Sequence, residues 1–297
     1  MRNVAVVILN FNDYHTTETL VKSIKDYQNI EHIVVVDNCS TDNSYERLAL
    51  LRNNKIDVIK SKKNGGYGYG NNYGIKYALS SYKPDYYMIC NPDVEFKESL
   101  IDKLIAALIS DSCYVCCSAI PHKPDGSVQM GYAWDVPKAS NAVLATGKIL
   151  QKFFSFGFVP HETCKNNEIT EVGCVPGSLI MLKGEYVEKH DLYDENMFLY
   201  YEETVLGYKI QSEGYKTIIV NDGYVHHHSV TINKTISSTV KQRKIMYKSL
   251  LYYLEYYLKL PKWKLIVCRG YLAVIVNENY LDGVISSIKR FIRFIKE

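Results

Sequence analysis

Ile33-Val34-Val35-Val36-Asp37-Asn38-Cys39-Ser40-Thr41-Asp42, residues 33–42, decides how the chain is read. Four β-branched apolar residues run without alternation into a carboxylate and a polar turn. A strand with one wet face alternates. An unbroken apolar run marks a strand covered on both faces, as in a parallel sheet flanked by helices. The same signature precedes it at Val4–Leu9, which ends on Asn10, and returns at Tyr86–Cys90, which ends on Asn91-Pro92-Asp93. Asp57-Val58-Ile59 is a shorter third strand. Helical patterns fill the gaps. Asn12 or Asp13 can cap a helix whose apolar positions are Leu20, Val21 and Ile24. Ser44–Leu51 and Gly74–Ser81 follow, and Leu100, Ile101, Leu104, Ile105 and Leu108 share one helix face. This rhythm predicts an α/β fold with a doubly wound, mainly parallel sheet and ligands at the carboxyl ends of its strands.

Beyond this core the pattern loosens. Pro121–Pro176 mixes glycine, proline and aromatics without a dominant period, as long loops and small strands do. Ser178–Leu182 and Thr217–Val220 read as strands, and Phe198–Gln211 contains a helix pattern. After Ser229 the character changes. Val240–Leu260 is a long helix pattern that stops at Pro261. Val284, Ile288, Phe291, Ile292 and Ile295 then form one apolar stripe, with Lys289, Arg290, Arg293 and Lys296 mostly off it. We therefore expect a main domain at 1–230 and a helical, basic C-terminal extension at 231–297.

Composition sets bounds. Among 297 residues, 47% are hydrophobic and 23% charged, which is ordinary for a globular protein. The net charge of +3 hides an asymmetry: from Val230 onward there are 13 Lys+Arg against 4 Asp+Glu. The basic tail suits anionic lipid or nucleic acid, while the acidic body argues against nucleic acid running over the whole protein; the tail's amphipathic helix suits an anionic membrane surface, or packing on the main domain or a homodimer partner. Cys113 and Cys116 have C-x-x-C spacing, but a structural zinc site would need a second pair, so reduced cysteines in a reducing compartment are expected. The apolar run at Val4–Leu9 is too short for a secretory signal, and no run is long and pure enough to span a bilayer. A cytoplasmic location is expected, peripheral on the inner face of the cell membrane if the tail binds lipid.

Several constellations carry chemistry. Asp37 at a strand end can accept the imide N–H of a pyrimidine base, or simply cap the next helix. Asn64–Gly74 is dense in glycine and asparagine; it is either a loop that lets backbone approach a ribose or phosphate, or a flexible turn. It lacks a G-x-G-x-x-G register and follows the third strand, which argues against a nicotinamide-dependent oxidoreductase. Asp93 can bind a hard cation, with Asn91 beside it for the sugar or a metal-bound water. One carboxylate is a poor cage, which suits a metal held mainly by substrate phosphates. Glu202 and Glu203 adjoin a helix start about 100° apart, so the two should play different roles, one as a general base. In His226-His227-His228 alternation puts His226 and His228 on one face; His226 is the one expected to complete a mixed site with Asp93.

The order of these motifs resembles family-2 glycosyltransferases of the GT-A fold, closest to the rhamnosyltransferase-like and galactofuranosyltransferase-like bacterial branch. The matching stretches are Val35–Asp42, Asn64–Gly74, Asn91-Pro92-Asp93, Pro176-Gly177-Ser178, Asp194-Glu195 with Phe198–Glu203, and His226, over roughly residues 1–230. The resemblance implies an inverting transfer from a nucleotide-sugar donor, dTDP-rhamnose first, then UDP-galactofuranose or a UDP-hexose. The implied acceptor is a surface-polysaccharide glycan, lipid-linked. It further implies that Asp37 holds the base, that Gly66 and Asn72 border the nucleotide, and that Asn91, Gly177 and Glu202 line the substrate site. Asp93 and His226 would hold Mg²⁺ or Mn²⁺, and Glu203 would be the catalytic base. Three positions depart from the family pattern: Glu203 replaces an aspartate, Val205 another aspartate, and Lys209 an arginine. A decayed transferase that only binds nucleotide sugar, as a scaffold in a glycan-assembly complex, is the alternative.

Overall fold

The computed structural model describes residues 3–147, 150, 153, 156–227 and 236–276. Strands β1 (Val4–Asn10), β2 (His32–Asp37), β3 (Ile56–Lys60) and β4 (Tyr86–Cys90) pair in parallel in the order β3-β2-β1-β4. The sheet then continues through β8 (Leu179–Lys183), β6 (Tyr114–His122) and β9 (Lys216–His226) to the two-residue β5 (Val94–Glu95), with β7 (Ile169–Val172) also on β9. The β4–β8 and β8–β6 pairings are antiparallel, and β6–β9 is parallel. The start of β8 and the end of β9 therefore lie on the same sheet edge as the ends of β1, β2 and β4.

The unbroken apolar runs have the expected cause. Val4, Val6 and Ile8 of β1 face a core with Leu20, Val21 and Ile24 of α1 (Tyr14–Ile24), Leu48 of α2 (Ser44–Ala49) and Leu100 of α4 (Glu98–Ile109). Ala5 and Val7 face the opposite core, with Ile75 and Ala78 of α3 (Tyr67–Ser81) and Leu206 and Ile210 of α8 (Glu202–Ser212). Asp13 caps α1, its carboxylate accepting from Thr16 N. The loose central stretch holds short helices α5 (Ala139–Leu144), α6 (His161–Asn166) and α7 (Gly184–Val187, after β8) beside β7.

Helix α3 starts seven residues before the expected Gly74, so the glycine-rich stretch is largely helix, not a flexible turn. Glycine is a poor helix former, which hid the start. Packing explains it: a Cβ on Gly74 would collide with Val7 and Val36 of the sheet. The helix axis comes close to β1 and β2 only because that side chain is absent.

The chain divides into two compact units. One is Met1–Val136, Gly157–Phe198 and Glu202–Ser229; the other is Pro137–Phe156, Leu199–Tyr201 and Val230–Glu297. The second unit thus takes two segments from before residue 230. Within it α9 (Ile236–Tyr252) runs into a π-helical turn at Tyr253–Tyr257, and residues 262–276 are helical after Pro261. Buried Tyr253 donates its hydroxyl to Pro137 O at 3.0 Å, and Ser249 Oγ donates to Leu199 O at 2.8 Å. The stripe from Val284 to Ile295 lies outside the described residues.

Candidate active site at the carboxyl edge of the sheet

Asp93 and His226 meet because β5 zips onto the end of β9. Val94 pairs with His226, and His227 N donates to Asp93 O at 2.8 Å. This backbone register sets Asp93 Oδ1 3.4 Å from His226 Nε2, with side chains only 12% and 10% exposed. On the other side of the ring, Nδ1 lies 3.3 Å from Gln129 Oε1. Which ring nitrogen carries the proton depends on the tautomer; either way a carboxylate and an imidazole stand side by side. Among the described residues no cluster of three or more His, Cys, Asp or Glu could hold a metal. A carboxylate and an imidazole are donor types that divalent ions take, so Asp93 and His226 would serve as two ligands of an ion held mainly by a substrate's phosphate oxygens. Gln129 comes from the loose loop after β6, and nothing in its spacing marks it as a partner of His226.

Gly177 and Ser178, just before β8, are the hub of the edge. Ser178 O accepts from Asn91 N at 2.9 Å, and Ser178 Oγ shares a 2.6 Å hydrogen bond with Tyr224 OH, two residues before His226. Tyr67 OH donates to Gly177 O at 2.7 Å. Glu203 lies against Gly177 so closely that a Cβ there would collide with its carboxylate, and the Gly177 N–H donates to that carboxylate. Burial among Val175, Ile180, Leu206 and Ile210 raises the Glu203 pKa above the ordinary carboxylate value, against the opposing pull of its backbone donors. Neighbouring Glu202 is buried in the first turn of α8, where the helix dipole favours an acid. The two acids do take different positions, as their 100° separation requires.

Other expected contact residues are turned inward. Asp37 stands at the end of β2 but is fully buried: Oδ1 accepts from Asn10 Nδ2 and Oδ2 from Ser40 N, both at 3.0 Å. In this structure it ties the β1 and β2 ends together, and its carboxylate is not open to a base. Asn38 next to it donates to Gly66 O at 3.1 Å and to Asn64 Oδ1 at 3.2 Å. Asn72 likewise spends its amide on Tyr193 O at 2.9 Å and Glu195 Oε1 at 3.1 Å, fixing the 193–195 loop. Gly66 has φ +94°, a Cβ there would strike Phe198 O, and Tyr67 N donates to that same oxygen at 3.0 Å. These residues tie the strand ends and loops of this edge together; Asp93 and His226 meet there, and Glu203 lies against Gly177 among apolar side chains. Two of the departures also find places. Val205 is fully buried in α8, and Lys209 Nζ donates to Asp191 O at 2.9 Å and Leu192 O at 3.0 Å. On the α1 side of β5 a cleft of about 860 Å³ runs past Asp93, lined among others by Thr16, Thr19, Tyr27 and Tyr224.

A family model described as glycosyl transferase family 2 matches residues 5–190, more than half of the chain. The chain belongs to this family. One family-level relative is the low-salt glycan biosynthesis hexosyltransferase Agl10 of Haloferax volcanii, 25% identical over 211 residues, 71% of this chain and 62% of that protein. Another is the N-acetylglucosaminyl-diphospho-decaprenol L-rhamnosyltransferase of Mycobacterium tuberculosis, 25% identical over 208 residues, 66% of each chain. The glycosyltransferase chain thus spans a little under two thirds of the length of these curated relatives. Among solved structures, mannosyltransferase PcManGT from Pyrobaculum calidifontis, in complex with GDP-Man and Mn²⁺, superposes with a TM-score of 0.56. That match has 13% identity and covers 96% of this chain and 75% of that one, a likeness of fold alone. The shared fold is GT-A.

Proposed function

We propose that the chain is a metal-dependent, inverting glycosyltransferase that moves a hexose from a nucleoside diphosphate to a hydroxyl of a glycan acceptor carried on a lipid. The observation that carries this reading is the meeting of Asp93 with His226 on the sheet edge where Gly177 holds Glu203. Asp93 and His226 are the two protein ligands for Mg²⁺ or Mn²⁺. When bound, the ion neutralises charge on the departing diphosphate. Glu203 takes the proton from the acceptor hydroxyl as its oxygen bonds to the anomeric carbon. The bond from that carbon to the diphosphate oxygen breaks on the opposite face, so configuration inverts. Its raised pKa suits a base that must accept a proton from an alcohol. Asn91 is held beside Ser178, within reach of the sugar.

dTDP-rhamnose is the first donor to test, supported by the branch resemblance and by the rhamnosyltransferase name of the mycobacterial relative; UDP-galactofuranose and UDP-hexoses follow. Thermal shift across nucleotide sugars with and without Mn²⁺, followed by transfer to a polyprenyl-linked glycan, tests the reading. Donor binding that ignores Mn²⁺ and survives Asp93→Ala would overturn the metal assignment.

A further inference from the structure

The helical residues 262–276 of the second unit present two faces. Leu265, Leu272 and Ile275 are buried. Trp263, Ile266, Val267 and Val274 recur at i, i+3, i+4 and i+11, which places them on one opposite stripe. They are 64%, 66%, 63% and 65% exposed, unlike scattered surface apolar residues, which need no explanation. Gly270 and Ala273 fill the same stripe and add no polar group.

Charge decides what such a face suits. From Tyr256 to Val276 there are four cations, Lys259, Lys262, Lys264 and Arg269, and no acid. Lys262, Lys264 and Arg269 flank the apolar stripe. Lys264 Nζ lies over the Trp263 ring, 5.4 Å from its centroid, so cation and indole form one amphipathic end. Arg269 has a loose contact of 3.8 Å with Glu255. Tyr256, 58% exposed, adds a second aromatic with a polar tip. A nucleic-acid site would use the cations but leave the aliphatic stripe unexplained. No described helix is long and apolar enough to cross a membrane. An apolar stripe bordered by cations suits a helix lying in the interface plane of a bilayer, its basic residues meeting lipid phosphates.

We infer that the Trp263–Ile266–Val267–Val274 face is a docking surface for an anionic lipid bilayer. The inference does not rest on the proposed function, and its test does not depend on sugar transfer.

The test uses the full chain with vesicles of phosphatidylcholine alone or with phosphatidylglycerol. Sedimentation with the anionic vesicles is expected, weakening with salt and with removal of phosphatidylglycerol. Trp263→Ser/Ile266→Ser/Val267→Ser should lower vesicle affinity about tenfold or more, because its lost contacts are apolar. Lys262→Glu/Lys264→Glu should weaken binding to anionic vesicles selectively. With Trp134→Phe, Trp263 is the sole tryptophan, and brominated lipid should quench its fluorescence. Unchanged vesicle binding by the triple variant, or absence of quenching, overturns the inference. A triple variant that turns a dimer into a monomer while vesicle binding stays the same would instead assign the face to a second copy of the chain.

Discussion

Glu203 is the residue on which the proposed chemistry turns. Its folded pKa is raised, so burial favours the protonated form, and ionising it costs stability as pH rises from the ordinary carboxylate range through the folded value. Glu203→Gln should therefore raise the melting temperature slightly at pH 7.5, by about 1–3 °C, while kcat falls by a factor of about 10²–10⁴ and donor binding stays. Calorimetry and single-turnover assays read the two effects separately. In the wild type, kcat should rise with pH along an acid limb displaced above the ordinary glutamate value. Tyr67→Phe removes the hydroxyl that steadies Gly177 and, through it, the N–H that favours ionised Glu203. The limb should move upward. Tyr67 and Tyr193, the thiols of Cys116 and Cys174, and Glu202 are the other titratable groups around this carboxyl. A carboxyl titration of Glu203 followed by NMR checks the shift without any turnover.

Elements were legible in the sequence where burial on two faces writes a continuous apolar run. Three of the four parallel strands follow from Val4–Leu9, Ile33–Val36 and Tyr86–Cys90, and β3 from the shorter Asp57-Val58-Ile59; helices α1 and α4 follow from the Leu20-Val21-Ile24 and Leu100–Leu108 faces. The early start of α3 was not legible, because its glycines are there for close approach, which has no period. Asp93 and His226 were paired on their chemistry and on the resemblance, with nothing in the chain to say how they meet; the structure supplies the physical cause in the β5–β9 register. Gln129 carried no signal at all, and Tyr67 and Ser178 lay inside motif stretches without a role of their own, since each acts through a contact across the fold. Asp37 and Asn72 stand where expected, yet tertiary hydrogen bonds, invisible in the chain, turn them inward. At this scale Gly74→Val is the sharp prediction: with Val7 and Val36 in its path, unfolding stability should drop by about 1–3 kcal/mol, read by urea denaturation. An unchanged midpoint would show that α3 can move away from the sheet at no cost.

For the whole molecule, the carboxyl edge collects residues from β1, β2, β4, β8 and β9 with the start of α8, and the proposed donor site lies along it. Two protein ligands alone hold a divalent ion weakly, so Mn²⁺ and nucleoside diphosphate should bind with strong mutual dependence. Chelation should abolish donor binding and leave the fold intact, as circular dichroism would show. The most direct measurement is the gain in melting temperature on adding dTDP or UDP together with Mn²⁺, compared in the wild type, Asp93→Ala and His226→Ala. A Mn²⁺-dependent gain is expected in the wild type and should vanish in both variants; an undiminished gain in either would contradict the shared grip of Asp93 and His226 on one cation.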